Sequence, residues 1–584
     1  MKDNTKTDFF IPVVLLGTVY LLELYCMYLL NPYTCEDAYI TYRFSRNMAA
    51  GLGPVFNAGE QVEGYSNFLW MAAIALADRA GIAVTAFSQI VGVICNTLTF
   101  LLVWYIPRRY FDLRGKTTFL GPLLYILFLP FHYYAFSGLE TSLYIFLVLL
   151  CLHAVLWAHN RTGPFAVCCF LFLLTALTRP EGIIFFVFMG GYLLFRAAAK
   201  KEPLKPYIPG VALFVAGYGI FMLWRLSYYG LPFPNTYYAK GSFPFLIRSA
   251  LGLLINKGFI LRYPHFLLFL LVPLGFVQLR RERKLAAALV FLCAGLFFSI
   301  GFSGFDWMPF FRYTLPVVPV LIVLCQLMFS ELWHRVVLSG HTKQKAVWVC
   351  VSLLFIGIAA EQFSQDLAFN ARWKKISDYA FHNQQTAGDW MRKQLGTKPL
   401  IAMGDVGRLA YFSEARILDV FGLTSRNFGA VKKAYGAPDI DFLKQTLSFD
   451  SYKKKELELL LDVAPDYVML YNAKIKITDS YPGSTAGLVE RDAFKQAYEY
   501  MTTFYIIPLF TSDAWPKLQH SIDVLDLSAG LLAWMTNGWG YDVYVRRDAP
   551  YPRFTFETTP GGLIENIAVK DKKNNPEFRR QNPE

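Results

Sequence analysis

Two adjacent carboxylates, Glu36 and Asp37, follow directly on an N-terminal apolar segment. Charge at the edge of hydrocarbon is costly unless it is used. Tyr39, Tyr42, Arg43 and Arg46 come next, and the run Val62–Trp70 adds Glu63 and Tyr65. Neighbouring carboxylates raise one another's pKa, which suits a base that takes a proton from an attacking hydroxyl. Aromatic rings can pack on the apolar face of a sugar. The grouping therefore suits group transfer at a sugar, with Asp37 and Glu36 as the candidate catalytic pair.

Four later segments have similar chemistry: Ser137-Gly-Leu-Glu140, Thr178-Arg-Pro-Glu-Gly182, Pro234-Asn-Thr-Tyr-Tyr-Ala-Lys240 and Asp306-Trp-Met-Pro-Phe-Phe-Arg312. Glu140 opens an apolar helix, either to stabilise its dipole or as a polar contact in a cavity. Arg179 and Glu181 form either a local snorkelled pair or a phosphate ligand with its orienting carboxylate. Lys240, beside Tyr237 and Tyr238, reads either as a solvated loop lysine or as part of the mouth of a lipid-phosphate site. Asp306 and Arg312 flank aromatic residues, of which Trp307 suits an interfacial belt. Arg225 reads as snorkelling, and His132, next to Tyr133 and Tyr134, as interfacial. Gly404-Asp-Val-Gly407 lacks the spacing of a dinucleotide loop, so no nucleotide site is expected there.

The elements that must position these groups are mainly transmembrane helices. The chain is 55% hydrophobic and only 17% charged over 584 residues, which excludes an ordinary soluble protein. Apolar stretches near 9–30, 85–106, 117–133, 140–157, 163–178, 182–197, 207–229, 263–279, 285–303, 313–332 and 345–362 give about eleven spans, each matched to about 30 Å of hydrocarbon. Phe68–Ala77 is too short to cross and reads as an interfacial helix led by Trp70. The predicted domains are 1–362, a membrane domain whose first outer loop is 31–84, and 363–584, an aqueous α/β domain. Strands are expected at 400–403, 416–420, 466–470 and 541–545, and a polar tail from Lys570. The N-terminal apolar segment reads as a retained first helix rather than a cleaved signal.

The formal charge of +13 does not point to nucleic acid, because basic residues such as Arg108, Arg109, Arg280 and Arg281 punctuate the short loops between spans. With a cytoplasmic N-terminus those loops are inner, and all of the chemically unusual segments fall outside. The nine cysteines form no CxxC pair and the eight histidines no ligand spacing, so a zinc enzyme is not expected.

The string from Glu36 to Trp70 resembles the first outer loop of the polytopic, polyprenyl-phosphate-sugar-dependent glycosyltransferases of GT-C architecture, closest to the branch of the mycobacterial terminal arabinofuranosyltransferase. That branch commonly writes the loop D-D-A-[FY]-I-[ST]-x-R-[FY], and this chain has Glu36 in place of the first Asp, which favours Asp37 as the base. The four later segments extend the resemblance across the membrane half. It implies a sugar, such as arabinofuranose, transferred from a polyprenyl phosphate to a glycan, glycolipid or protein of the cell envelope. The expected setting is the outer face of a bacterial inner membrane, with the C-terminal domain extracytoplasmic. Arg179, Lys240 and Arg312 would hold the donor phosphate, and Tyr39, Arg43, Glu63, Tyr65, Glu140, Glu181, Tyr237 and Asp306 would line the cavity. No cofactor is assigned, though a divalent cation could assist. Inverting and retaining paths both stay open. The alternative is a lipid-linked glycan transporter or flippase, for which internal repeats would be the signature.

Overall fold

The computed structural model describes residues 5–30, 34–113, 116–158, 164–199, 201, 203–240, 259, 262–263, 295, 308–338, 342–396, 398–427, 457–473, 491–509, 537–559 and 563–569. The membrane half is built from α1 (Thr5–Leu30), α2 (Ala38–Ala49), α3 (Phe68–Arg79), α4 (Val84–Tyr110), α5 (Leu120–Ile126), α6 (Leu129–Phe136), α7 (Thr141–Ala158), α8 (Phe165–Thr178), α9 (Pro180–Ala199), α10 (Ile208–Tyr229), the short α11 (Asn235–Lys240) and α12 (Val318–Leu338). Among the described residues α4, α7, α9 and α10 are long and apolar enough to cross a membrane, and α5 with α6 makes a fifth if the pair, bent by 52°, is one span. The logic is visible in α7, whose 18 residues contain no Gly, Pro or charge and would rise about 27 Å. The expected spans at 263–279 and 285–303 lie outside the described residues apart from Tyr263 and Gly295, as does the tail from Lys570.

The break between α5 and α6 is mended by side chains. A carbonyl freed at membrane depth needs a new partner, and His132 Nε2 supplies one to the Ile126 carbonyl at 3.0 Å. Asn96 Nδ2 meets the other ring nitrogen at 3.3 Å and donates to Glu23 Oε1 at 2.9 Å, while Tyr125 donates to Asn96 Oδ1 at 2.6 Å. His132 is therefore a fully buried polar staple rather than an interfacial residue.

Helix α2 is the pivot of the molecule. Ala38 to Ser45 are all buried, so this helix is wrapped rather than half-exposed. Helix α3 packs on one side and a helix of the C-terminal domain on another. Trp70 of α3 is 1% exposed and its indole N–H donates to the Gly138 carbonyl at 3.0 Å. The residue expected to anchor an interfacial helix is instead part of the core.

Helix α13 (Thr342–Gln394) runs 53 residues, about 80 Å, without a proline. The expected boundary after residue 362 thus falls inside one continuous helix that carries the chain from the helical bundle into the C-terminal domain. Beyond it, a five-stranded mixed sheet has the order β2-β1-β3-β5-β4, from β1 (Leu400–Met403), β2 (Arg416–Asp419), β3 (Tyr467–Ala473), β4 (Tyr498–Leu509) and β5 (Asn537–Arg546). The first three strands are parallel and the β3–β5 and β5–β4 pairs antiparallel. A hairpin of β6 (Phe554–Thr558) and β7 (Ile564–Val569) forms a second sheet. Helix α14 (Arg408–Ser413) connects β1 to β2 and lies against α2.

Candidate active site

Glu36 and Asp37 form the turn that starts α2, and both are half-buried. Asp37 occupies the N-cap position of α2 without a side-chain capping bond. The turn is pinned from several directions. Cys35 N–H donates to the Ser137 carbonyl at 2.8 Å, and its thiol meets Met308 Sδ at 3.9 Å. Gly138 has φ +78, and a Cβ there would collide with Tyr42 Oη, so only glycine lets this loop approach α2. The Ser137–Glu140 and Met308–Arg312 segments therefore both touch the acidic turn.

A polar chain leads on from α2. Asn67 Nδ2 donates to Thr41 Oγ1 at 3.2 Å and to Glu140 Oε2 at 2.9 Å. Arg179 Nη1 donates to Glu140 Oε1 at 2.6 Å, and its other edge meets Glu181 at 3.1 Å. The ring of Tyr313 is near two arginines, 4.9 Å from the Arg179 guanidinium carbon and 5.1 Å from that of Arg312, a favourable place for cations. Arg312 is 8% exposed and acts electrostatically on Arg179, Glu140 and Cys35. Burial pushes the Cys35 thiol well up; Asp37 and Glu36 add to that shift and Arg312 opposes it. One thiol thus feels both the acidic pair and the cation.

The turn that presents Arg312 is strained. Phe310 and Phe311 have φ of 63° and 54°, a left-handed backbone that bulky residues avoid. It is held by Tyr134, whose hydroxyl donates to the Pro309 carbonyl at 2.6 Å, and by Tyr133 and Phe369 around the Phe310 ring. Such conformations cost about 1–3 kcal/mol each and persist only where the surroundings impose them.

Other expected cavity residues are engaged elsewhere. Arg43 is buried and donates to the carbonyls of Phe56, Ala410 and Ala415 and to Asn57 Oδ1, which makes it a clamp between the first loop and the C-terminal domain. Glu63 pairs with Arg225 at 3.0 Å, both fully enclosed, so Arg225 is not a snorkelling residue. Desolvation raises the Glu63 carboxyl to about 7 against the pull of Arg225. Tyr65 shares a 3.0 Å hydroxyl contact with Tyr229. Tyr39 is buried against Tyr411 and Phe412 of α14. Tyr237 packs on Phe233 with the rings tilted by 32°, and the helix that carries it is held by Asn235, which donates to the Gly422 carbonyl at 2.7 Å. The Lys240 side chain, Asp306 and Trp307 lie outside the described residues.

Sequence reasoning missed the contribution of the C-terminal domain. The Gly404–Gly407 loop, which does not fit a nucleotide site, sits on Glu36: a Cβ on Gly407 would collide with Glu36 Oε1 and its carbonyl, and Arg408 N–H donates to Oε1 at 2.9 Å. Glu36 is pushed well above the usual carboxylate range, first by desolvation and then by Asp405 and Asp37; Arg408 partly offsets the shift. A carboxyl whose pKa rises on folding stabilises the fold at acid pH and loses that contribution as pH climbs from 4.5 through the raised value. The wild type should therefore lose stability over that window, while Glu36→Gln should flatten the dependence; unfolding midpoints in detergent across pH measure it. Among the described residues no group of three or more His, Cys, Asp and Glu side chains is arranged to hold a metal ion.

A protein-family model described as a domain of unknown function (DUF8728) matches residues 373–521. Two curated relatives are terminal beta-(1->2)-arabinofuranosyltransferases. The one from Mycobacterium tuberculosis is 28% identical over 271 residues, 43% of this chain and 41% of the relative. The one from Corynebacterium glutamicum is 27% identical over 377 residues, 52% of each. The chain thus spans about half, or less, of the length of the curated relatives it matches. Among solved structures, the archaeal oligosaccharyltransferase AglB from Archaeoglobus fulgidus, in complex with an inhibitory peptide and a dolichol-phosphate, has a TM-score of 0.51 at 13% identity, covering 85% of this chain and 74% of that one. The chain therefore shares the fold of AglB, and over about half of its length it is similar in sequence to the terminal arabinofuranosyltransferases.

Proposed function

We propose that this protein is a glycosyltransferase that takes a sugar, with arabinofuranose the first candidate, from a polyprenyl-phosphate donor. The acceptor is a cell-envelope glycan, glycolipid or protein on the outer face of the bacterial inner membrane. The observation that carries this reading is the grouping of Glu36 and Asp37 with Arg312 and the Glu140–Arg179–Glu181 chain around one thiol and one tyrosine ring. The names of the two curated relatives support the choice of sugar, and the dolichol-phosphate in complex with AglB supports the choice of donor class.

In the proposed reaction the bond between the anomeric carbon and the phosphate oxygen breaks, and its electron pair leaves with the polyprenyl phosphate. A bond forms to the acceptor hydroxyl, whose proton passes to Asp37. If the outcome is instead retaining, Asp37 stabilises the anomeric centre. The largest change in charge is on the departing phosphate, where preorganised cations contribute most. Arg312 is the first candidate for that role, since the guanidinium of Arg179 is already shared by two carboxylates. Burial and the charge of Asp405 push the Glu36 carboxyl upward, which favours Asp37 for the ionised role.

The test uses the full chain in nanodiscs with a panel of radiolabelled polyprenyl-phosphate sugars and a synthetic arabinofuranoside acceptor. Time-dependent release of polyprenyl phosphate, with the sugar found on the acceptor by mass, is the expected result. Donors that stay intact, or that merely cross the bilayer, would replace the transferase with the transporter.

A further inference from the structure

Arg408 is 2% exposed, and its side-chain hydrogen bonds run to an amide and a peptide carbonyl rather than to a carboxylate. Its Nη1 donates to Gln384 Oε1 on α13 at 3.1 Å and its Nη2 to the Thr34 carbonyl at 3.0 Å. Nε has no hydrogen-bond partner among the described residues. The guanidinium faces the rings of Tyr39 at 5.4 Å and Phe381 at 4.9 Å. A buried cation with an unmet donor is expensive, and it is retained where a neighbouring negative charge or a fixed geometry requires it. Here both conditions hold. Thr34 and Tyr39 bracket the acidic turn in sequence, and the peptide N–H of the same residue holds Glu36 Oε1.

We infer that Arg408, delivered from the C-terminal domain, is a positioning residue for the Glu36–Asp37 turn: backbone and side chain together fix the turn from both of its ends and set a positive charge beside it. The inference rests on the transferase reading for its kinetic part only. Gly407 supports it from an independent direction. A Cβ at Gly407 would strike Glu36 Oε1 and the Glu36 carbonyl, so glycine is what lets this loop close onto the turn. The C-terminal domain is then a working wall of the site. The same domain also grips the first loop through Arg43 and Asn57 and α11 through Asn235.

Three variants of the full chain in nanodiscs test this, with polyprenyl-phosphoryl arabinofuranose as the donor: Arg408→Gln, Arg408→Lys and Gly407→Ala. Small misplacements of reacting groups cost about 10²-fold in rate. All three should lower kcat by roughly that factor, with KM for the donor changed less than about threefold. The pH limb set by Glu36 should move upward in Arg408→Gln and stay in place in Arg408→Lys, a distinction that loss of packing alone would not produce. Independently of turnover, hydrogen exchange over residues 35–41 should speed up by about tenfold or more in each variant as the turn loosens. Wild-type kcat and wild-type exchange in Arg408→Lys and Gly407→Ala would overturn the proposal even if Arg408→Gln fails to fold. Faster exchange in a protein that turns over no donor would instead keep the positioning role and sink the transferase reading.

Discussion

Asp37→Asn should leave a folded protein whose kcat is lower by about 10³-fold, the usual worth of a positioned general base. That loss corresponds to about 4 kcal/mol of activation barrier. Folding should survive because Asp37 makes no side-chain capping bond to α2, and asparagine serves equally well at an N-cap. Glu36→Gln should cost far less, since Oε1 of Glu36 is already committed to the Arg408 N–H. The asparagine variant carries a second readout. Asp37 is one of the charges that raise the Glu36 carboxyl, so its removal should move the Glu36 titration to lower pH. Single-turnover measurement of polyprenyl phosphate release across pH gives both numbers. Unchanged turnover in Asp37→Asn would remove Asp37 from the chemistry.

The acidic turn is legible in the sequence because charge beside an apolar segment is costly and so marks a place of use, and the short motifs name its neighbours in order. Their convergence is legible only through family resemblance: no local pattern says that Asn67 will join Thr41 to Glu140, or that the Tyr313 ring will meet two arginines. Residues whose partners lie far away in sequence are the hardest to place. Arg43 reads as a cavity residue until Ala410 and Ala415, more than 360 positions later, accept its hydrogen bonds. Arg225 reads as snorkelling until Glu63 appears beside it. Strands β1 and β2 and helix α14 are visible from short apolar runs, but that their connecting loop presses on Glu36 is not. Gly404–Gly407 fails a nucleotide pattern because its second glycine serves close approach to another domain.

The second large effect expected is on stability, at Arg179. Its pairs with Glu140 and Glu181 are 2.6 and 3.1 Å long, and the Arg179 and Glu140 side chains are 9% and 5% exposed. Removing one partner from such a pair leaves a charge without water or counter-charge, which costs about 3–5 kcal/mol. Arg179→Gln should therefore unfold well before the wild type in a detergent titration. Glu181→Gln should do so less, because Arg179 keeps Glu140 and Asn67 still serves that carboxylate. The double variant Arg179→Gln with Glu140→Gln should recover part of the loss, since both members of the pair leave together. The recovery also bears on function. Glu140, Glu181, Arg179 and Arg312 sum to zero formal charge, so an arriving phosphodiester makes the group negative by one and the Arg179→Gln variant makes it more so. KM for the lipid donor should thus rise in the single variant and fall back in the double. A single variant as stable as wild type would mean that water reaches Glu140 and that the pair is not enclosed.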